Sequence, residues 1–457
     1  MTQQLHKLWA KTTSASRNEA LAQTVDRFTV GHDRVMDVRL APFDVLGSIA
    51  HGVMLRDIGL LTADECRQII RELRRLYADI LADRFVIADE MEDVHSQIEF
   101  LLTQSLGDIG KKIHSGRSRN DQALTDIKLY LRSALEMLVH RTVRVFERFC
   151  ALSTEYDRIP LPGYTHYQIA MPSSFGLWFG AYAESLCDDM HSVQAAFDVV
   201  NKNPLGSAAG YGSSFPLDRH KTTQLLGFAD MNVNAVYAQM TRGKSERITA
   251  QAMASIAGTL NRFASDITLY MCGNFGFVRF PEEITTGSSI MPHKKNPDVF
   301  ELIRARTNAL MALPNTLTMT LNSLPSGYHR DVQILKEYLF PHIDMLIECL
   351  DMLDTALAHI EVNTSILDDP KYAYLFTVDD VNALVMQGHT FRDAYRIIGE
   401  RVAQGLYTPN HTATYTHIGS IGRSGIEEIR RMMQTRLSAF PFEHIAHAQA
   451  VLLENEL

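Results

Sequence analysis

The sequence predicts an all-α protein: a central bundle of long helices with smaller helical parts before and after it. Three observations carry this reading. Glycine and proline are absent from long stretches, apolar residues within those stretches recur at steps of three and four, and alternating strand patterns are scarce. The first stretch, Arg117 to Ile159, holds neither glycine nor proline. Within it Leu124, Ile127, Leu131, Ala134 and Leu138 share one helical face, and Asp121 can cap the start. Ala181 to Asn203 is a second uninterrupted stretch. Lys244 to Cys272 is a third, broken only by Gly258, with Ile248, Ala252, Ile256, Leu260, Phe263 and Ile267 on one stripe. A helical run is also expected over Val299 to Leu313. The last long segment begins near Asp331 and carries Leu335, Leu339, Leu346, Leu350, Leu353 and Leu357. Pro341 removes one backbone donor there, so a kink or restart is expected at that point. Phe277 to Phe280 is a short strand-like exception.

The 457 residues suggest about three structural units at roughly 150 residues each. The expected division is an N-terminal, mostly helical part over 1–110, a long-helix bundle over 111–361 and a small helical part over 362–457. A helix near 30 residues spans about 45 Å and needs equally long neighbours, so the bundle is expected to oligomerise through its faces.

Composition narrows the function. Apolar residues make up 46% and charged residues 21%, and 44 Lys and Arg against 53 Asp and Glu leave a net charge of −9. That balance argues against general nucleic-acid binding, which needs a basic face. The first twenty residues lack a signal-peptide core, and no uncharged apolar run reaches about 18 residues. Cys66, Cys150, Cys187, Cys272 and Cys349 are scattered without a C-x-x-C pair. A cytoplasmic protein with reduced thiols is expected.

Four polar segments interrupt the helical pattern. TTGSSIMPHKKNPD (285–298) crowds serines, lysines and an asparagine beside Gly287, a composition able to receive an anion. HSGRSRNDQ (114–122) sets two arginines around Ser118 just before a helix start, which suits carboxylates. PGYTHYQIAMP (162–172) holds His166 between prolines, and YHRDVQILK (328–336) gathers Tyr328, Gln333 and Lys336 around a helix entry. Each taken singly reads more readily as a solvated loop, a capping sequence, a structural histidine or an exposed helix entry. No P-loop is present, and no HExxH or clustered metal-ligand set.

Together the four segments resemble the argininosuccinate lyase family of the fumarase and aspartase superfamily. GSSIMPHKKNPD is similar to the superfamily's signature loop, and GRSRND is the segment that points to the argininosuccinate branch. The resemblance runs from DRFTVGHDRVMDVRLAPFDVLGSIAH through MEDVHS and weakens beyond Val362. It implies a fumarase/aspartase-like bundle and a carbon–nitrogen lyase of arginine biosynthesis. The implied reaction is reversible cleavage of argininosuccinate to arginine and fumarate, with neither metal nor organic cofactor. It further implies Ser288 as general base, Lys294 and Asn296 as stabilisers of the intermediate, and His166 as general acid held by Glu301. Ser118, Arg119, Asn120 and Thr165 are the implied succinyl-end contacts. Tyr328, Gln333 and Lys336 are implied to touch substrate, Asp93 and His95 to lie near it, and the active sites to be shared between subunits of a homotetramer. Asp33 stands where many members have a substrate-touching serine, and a carboxylate there suits a cationic group; Ile334 and Leu335 replace an acidic pair.

Three other readings compete. Adenylosuccinate lyase, or another succinyl-compound lyase, would share the elimination step. A hydrolase triad of Ser288, His166 and Glu301 lacks the G-x-S-x-G elbow and its sheet. A purely structural role, as in lens crystallins of this family, sits badly with retention of the whole catalytic set.

Overall fold

A computed structural model describes residues 19–455 of the chain. Five long helices form its centre: Arg119–Glu155, Phe175–Val200, Lys244–Tyr270, Asp298–Leu321 and Leu335–Leu357. The first has 37 residues, so it is about 55 Å long. The expected capping is refined in detail. Ser118 is the N-cap, its Oγ accepting from Asn120 N, while Asp121 reaches back from the third position to accept from Ser118 N at 2.8 Å.

Side-chain contacts fix the direction of each helix. Ser153 donates to Gly176 O, and Arg132 reaches Asn201, so the second helix runs back along the first. Trp178 and Tyr182 donate to Asp266, and Ser255 donates to Asp189, which sets the third antiparallel to the second. Asn261 bonds Thr307, while Gly243 abuts Leu321, so the fourth runs back along the third. The fifth lies parallel to the first, tied by Arg141–Asp351 at 3.1 Å and Arg148–Asp354 at 3.2 Å. Consequently one end of the bundle collects the starts of the first, third and fifth helices. The other end collects the starts of the second and fourth.

Two expectations about proline change. Leu335–Leu357 runs through Pro341 without restarting, entered by a 3-10 turn over Arg330–Ile334. Asp298–Leu321 likewise continues past Leu313 and through Pro314. Buried Leu339, Phe340 and Ile343 flank Pro341, and buried Leu310, Leu313 and Leu317 flank Pro314; this packing outweighs one lost backbone bond. The strand-like 277–280 segment does pair, Val278–Arg279 lying antiparallel to Glu361–Val362. An unexpected hairpin, Pro160–Thr165 with Gln168–Ser174, caps the second end of the bundle.

Helices Ala41–Asp57, Ala63–Leu81 and Val94–Leu106 pack beside the first end. Residues Asp33–Asp57 are long and apolar enough to cross a membrane by length and composition, yet 78% of that window is buried inside the fold. Shorter helices from Thr377 onward finish the chain. All five cysteines are free thiols.

Candidate active site

At the first end a pocket gathers eight of the sequence-predicted residues: Asp33, Asp93, His95, Arg119, Asn120, Tyr328, Gln333 and Lys336. They come from four parts of the chain. Arg119 and Asn120 open the 37-residue helix, and Lys336 lies in the first turn of the last bundle helix. Asp93 caps the Val94–Leu106 helix by accepting from Ser96 N at 2.8 Å. Ser118 sits at the same helix start as Asn120, with its hydroxyl used as the cap.

Every cation in this pocket meets a carboxylate. Lys336 is buried and pairs with Asp33 at 2.5 Å and with Asp37. Burial works against the ammonium, but the two carboxylates outweigh it and raise the Lys336 pKa. Burial also lifts Asp33 to about 6 against the pull of Lys336, with Asp37 pushing the same way as burial. Arg119 bonds Asp93 at 2.6 Å and Glu92 at 3.3 Å, and Arg330 bonds Glu92 at 2.9 Å. Gln333 donates to Thr29 O at 2.9 Å.

Beneath the pocket floor lies a buried cluster that the sequence reading missed. His95 Nδ1 is 2.5 Å from Asp44 and 3.3 Å from Asp126, and all three residues are buried. Gln122 also donates to Asp44, at 2.8 Å. Burial opposes charge on His95, yet Asp44 raises its pKa. Burial and the neighbouring Asp44 charge hold Asp126 well above the ordinary carboxyl range, favouring its protonated form. These directions favour a charged His95–Asp44 pair beside a protonated Asp126.

Asp37, Glu92, Arg242 and Arg330 also line the pocket and were not foreseen. Asp37 carried a usable signal, since four residues from Asp33 is one helical turn. Arg242 carried none, because only the tertiary fold brings it there.

The remaining predicted residues lie at the second end. His166 and Tyr167 form the two-residue turn of the hairpin with φ of +54° and +58°. Such a turn needs positive φ at both positions and normally takes Asn-Gly. A histidine and a tyrosine there hold strained backbone, a feature that clusters at functional sites. Thr165 and His166 are exposed, and among the described residues nothing hydrogen-bonds the His166 ring. Tyr164, just before the turn, packs edge-on against Phe275 and at a tilt against Phe277, which fixes the hairpin on the stretch leading to the 285–298 loop.

That loop is pinned at its base, where Asn296 N donates to Thr286 O at 2.8 Å. Asn296 Nδ2 donates to Gly287 O at 3.3 Å. Ser288 Oγ accepts from the backbone N–H groups of Ile290 at 3.4 Å and Met291 at 3.2 Å. Two donors aimed at one hydroxyl oxygen favour its alkoxide. Lys294 is exposed, with no side-chain partner among the described residues. Glu301 is exposed on the helix that follows, 3.9 Å from Arg304.

The two groups are thus separated by the bundle. Its shortest helices have 23 and 24 residues, so about 35 Å lies between the ends.

Comparison with other proteins identifies the family. A lyase family profile matches residues 1–311. Argininosuccinate lyase of Phocaeicola vulgatus is 53% identical over 447 residues, covering 98% of this chain and 99% of that protein. The argininosuccinate lyase of Stenotrophomonas maltophilia is 38% identical, covering 91% and 97%. Among solved structures, EDDS lyase in complex with formate superposes with a TM-score of 0.77 at 22% identity, covering 96% of this chain and 95% of that one. Class II fumarase from Schistosoma mansoni gives 0.68 at 14% identity, covering 91% and 95%; these two share the fold. With more than half its residues identical to an argininosuccinate lyase over nearly the full length of both, the chain belongs to the argininosuccinate lyase family and is a lyase.

Proposed function

We propose that this lyase cleaves argininosuccinate reversibly to arginine and fumarate in arginine biosynthesis, and that several copies of the chain complete each site. The observation that carries the proposal is the separation of the two residue groups. A succinyl group a few ångströms across cannot touch Asn120 and Ser288 of one chain when about 35 Å of helix lies between them. A second copy that lays its loop end against the pocket end brings them together.

The Asp298–Leu321 helix supports this. Leu302, Ala305, Ala309, Ala312, Thr316 and Met319 recur at steps of three and four, and all are exposed. This is the seam of a helix that packs on another helix. A homotetramer, with the 111–361 bundle as its centre, accommodates such seams in pairs. The 1–110 part then supplies pocket walls, and the 362–457 part flanks the bundle.

In the proposed mechanism, Ser288 removes a proton from the succinyl carbon beside a carboxylate. The electron pair left behind spreads into that carboxylate as an aci-carboxylate, whose second negative charge faces Lys294 and Asn296. The pair then forms the double bond of fumarate as the carbon–nitrogen bond breaks. The departing guanidino nitrogen takes a proton from His166, directly or through water, with Glu301 holding and charging the imidazole. Backbone donors from Ile290 and Met291 support Ser288 as base. Ser118, Arg119, Asn120 and Thr165 hold the succinyl carboxylates. Tyr328, Gln333 and Lys336 face the remaining part of the substrate, beside Asp93 and His95. Asp33, already paired with Lys336, sets the charge of the pocket wall. Reduced cysteines fit a cytoplasmic location.

The direct test is to add argininosuccinate and follow fumarate by its ultraviolet absorbance. Fumarate should accumulate at millimolar substrate, and its absence would overturn the reading.

A further inference from the structure

A second cavity adjoins the substrate pocket, sharing Arg242 and Tyr328 with it. It is about 320 Å³ in volume, room for several water-sized groups. Among the described residues no Asp or Glu lines it, although the chain as a whole is acidic. Its wall instead carries Arg242, Lys244 and Arg247, at the start of a 27-residue helix whose dipole adds partial positive charge.

Glu246, in the same helix turn, is already committed. Glu246 accepts from Arg242 Nε at 3.1 Å and from Gly243 N at 2.7 Å. Lys244 is held by the Tyr237 hydroxyl at 3.2 Å and lies over its ring. Arg247 has no carboxylate partner among the described residues, and its buried Nε donor meets no acceptor. Gln239 is 3% exposed, lines the same cavity, and its Nε2 donor is likewise unmet. Two buried donors without acceptors, beside two cations without acids, define what is missing: a group rich in acceptor oxygens and negative charge.

We propose that this cavity is an anion-binding site separate from the substrate pocket, built by Lys244, Arg247 and Gln239. The ligand class is a small oxyanion bearing two or more acceptor oxygens, either a phosphate group or a dicarboxylate. Arg242 and Tyr328 are common walls, so an occupant is in contact with residues that also bound the substrate pocket.

Calorimetric titration of the full-length protein with inorganic phosphate, and separately with succinate, tests the site and distinguishes the two sources. Lys244→Ala/Arg247→Ala should weaken binding of the preferred anion by about tenfold or more, as loss of two charged contacts requires. Lys244→Arg/Arg247→Lys should keep the affinity within about threefold, because charge is retained. Lys294→Ala, in the substrate loop, should leave it unchanged. If the alanine variant does not fold, Gln239→Leu serves in its place and should weaken binding as well. The proposal is overturned if neither anion binds the parent protein at about 10 mM. It is equally overturned if the parent and the variants bind alike, or if the loss follows Lys294→Ala instead.

Discussion

The two ends of the bundle solve opposite problems. At the pocket end, Lys336, Asp33, Asp37, Arg119 and Asp93 are paired and largely buried. At the loop end, His166, Lys294 and Glu301 are exposed, and the first two have no side-chain partner among the described residues. One end is electrostatically settled within a single chain, whereas the other presents reactive groups outward. The difference is what the proposed division of the site between copies requires: catalytic candidates left exposed in one chain. It also makes the two ends separable by experiment: damage to the loop end should cost rate alone, and breaking the buried ion pairs of the pocket end should cost stability as well.

The largest effect tests the loop end. Ser288→Ala and His166→Asn should each lower turnover by about 10² to 10⁴ while changing unfolding free energy by less than about 0.5 kcal/mol. Steady-state fumarate release and chemical denaturation measure the two quantities. Mixing Ser288→Ala chains with Asn120→Leu chains, after dissociation and reassembly, should restore activity that neither possesses alone. No recovery would mean that one chain supplies both halves, and the comparison would fail.

Next comes the pocket end. Lys336→Met leaves Asp33 and Asp37 buried without their counter-charge, and should destabilise the protein by about 3–5 kcal/mol. Denaturant midpoints of the purified variant read this directly. A loss below about 1 kcal/mol would show that the two carboxylates are not held against a low-dielectric wall.

Legibility in the sequence followed the same divide between local and long-range physics. Helix existence was plain, because a run without glycine or proline from Arg117 to Ile159 has few alternatives, and the observed helix is Arg119–Glu155. Proline positions misled about where helices end, since Pro314 and Pro341 cost one bond each while buried neighbours on both sides keep the helix continuous. The hairpin escaped notice because its turn uses His166 and Tyr167 rather than a glycine-bearing pair. Among the candidate residues, eight from compact motifs line one pocket. Asp37, Glu92, Arg242 and Arg330 were not readable, because their role comes from contacts between segments far apart in the chain. The buried pairing of Asp44 and Asp126 beneath His95 was invisible for the same reason.

Asp33 gives a smaller effect with a defined sign. Its folded pKa of about 6 lies above the ordinary value of 3.8. The folded chain therefore holds this proton where the unfolded chain has released it. The associated stability is present below about pH 4 and is lost as pH rises through about 6. The shift of about two units corresponds to at most about 3 kcal/mol. Asp33→Asn removes this titration, so the variant should lose less stability than the parent between pH 4 and 7, and Asp37 still pairs with Lys336. Identical pH profiles of thermal unfolding would show that Asp33 is ionised throughout.

The smallest expected effect is the sharpest check on a charge-settled pocket end. If Asp126 is a carboxylic acid facing the Asp44 carboxylate, Asp126→Asn replaces an O–H donor by an N–H donor of nearly the same shape. The unfolding free energy should then move by less than about 1 kcal/mol. Were Asp126 ionised, the substitution would relieve two buried like charges, and the variant would gain several kcal/mol. Asp44→Asn is the contrasting case, because it takes the carboxylate from His95 and leaves a buried imidazolium with one neutral neighbour. Its loss of about 3 kcal/mol or more, set against near-neutrality at Asp126, would place the shared proton on Asp126. Equal losses at both positions would place it elsewhere, and the claim that the pocket end is electrically balanced in one chain would fall.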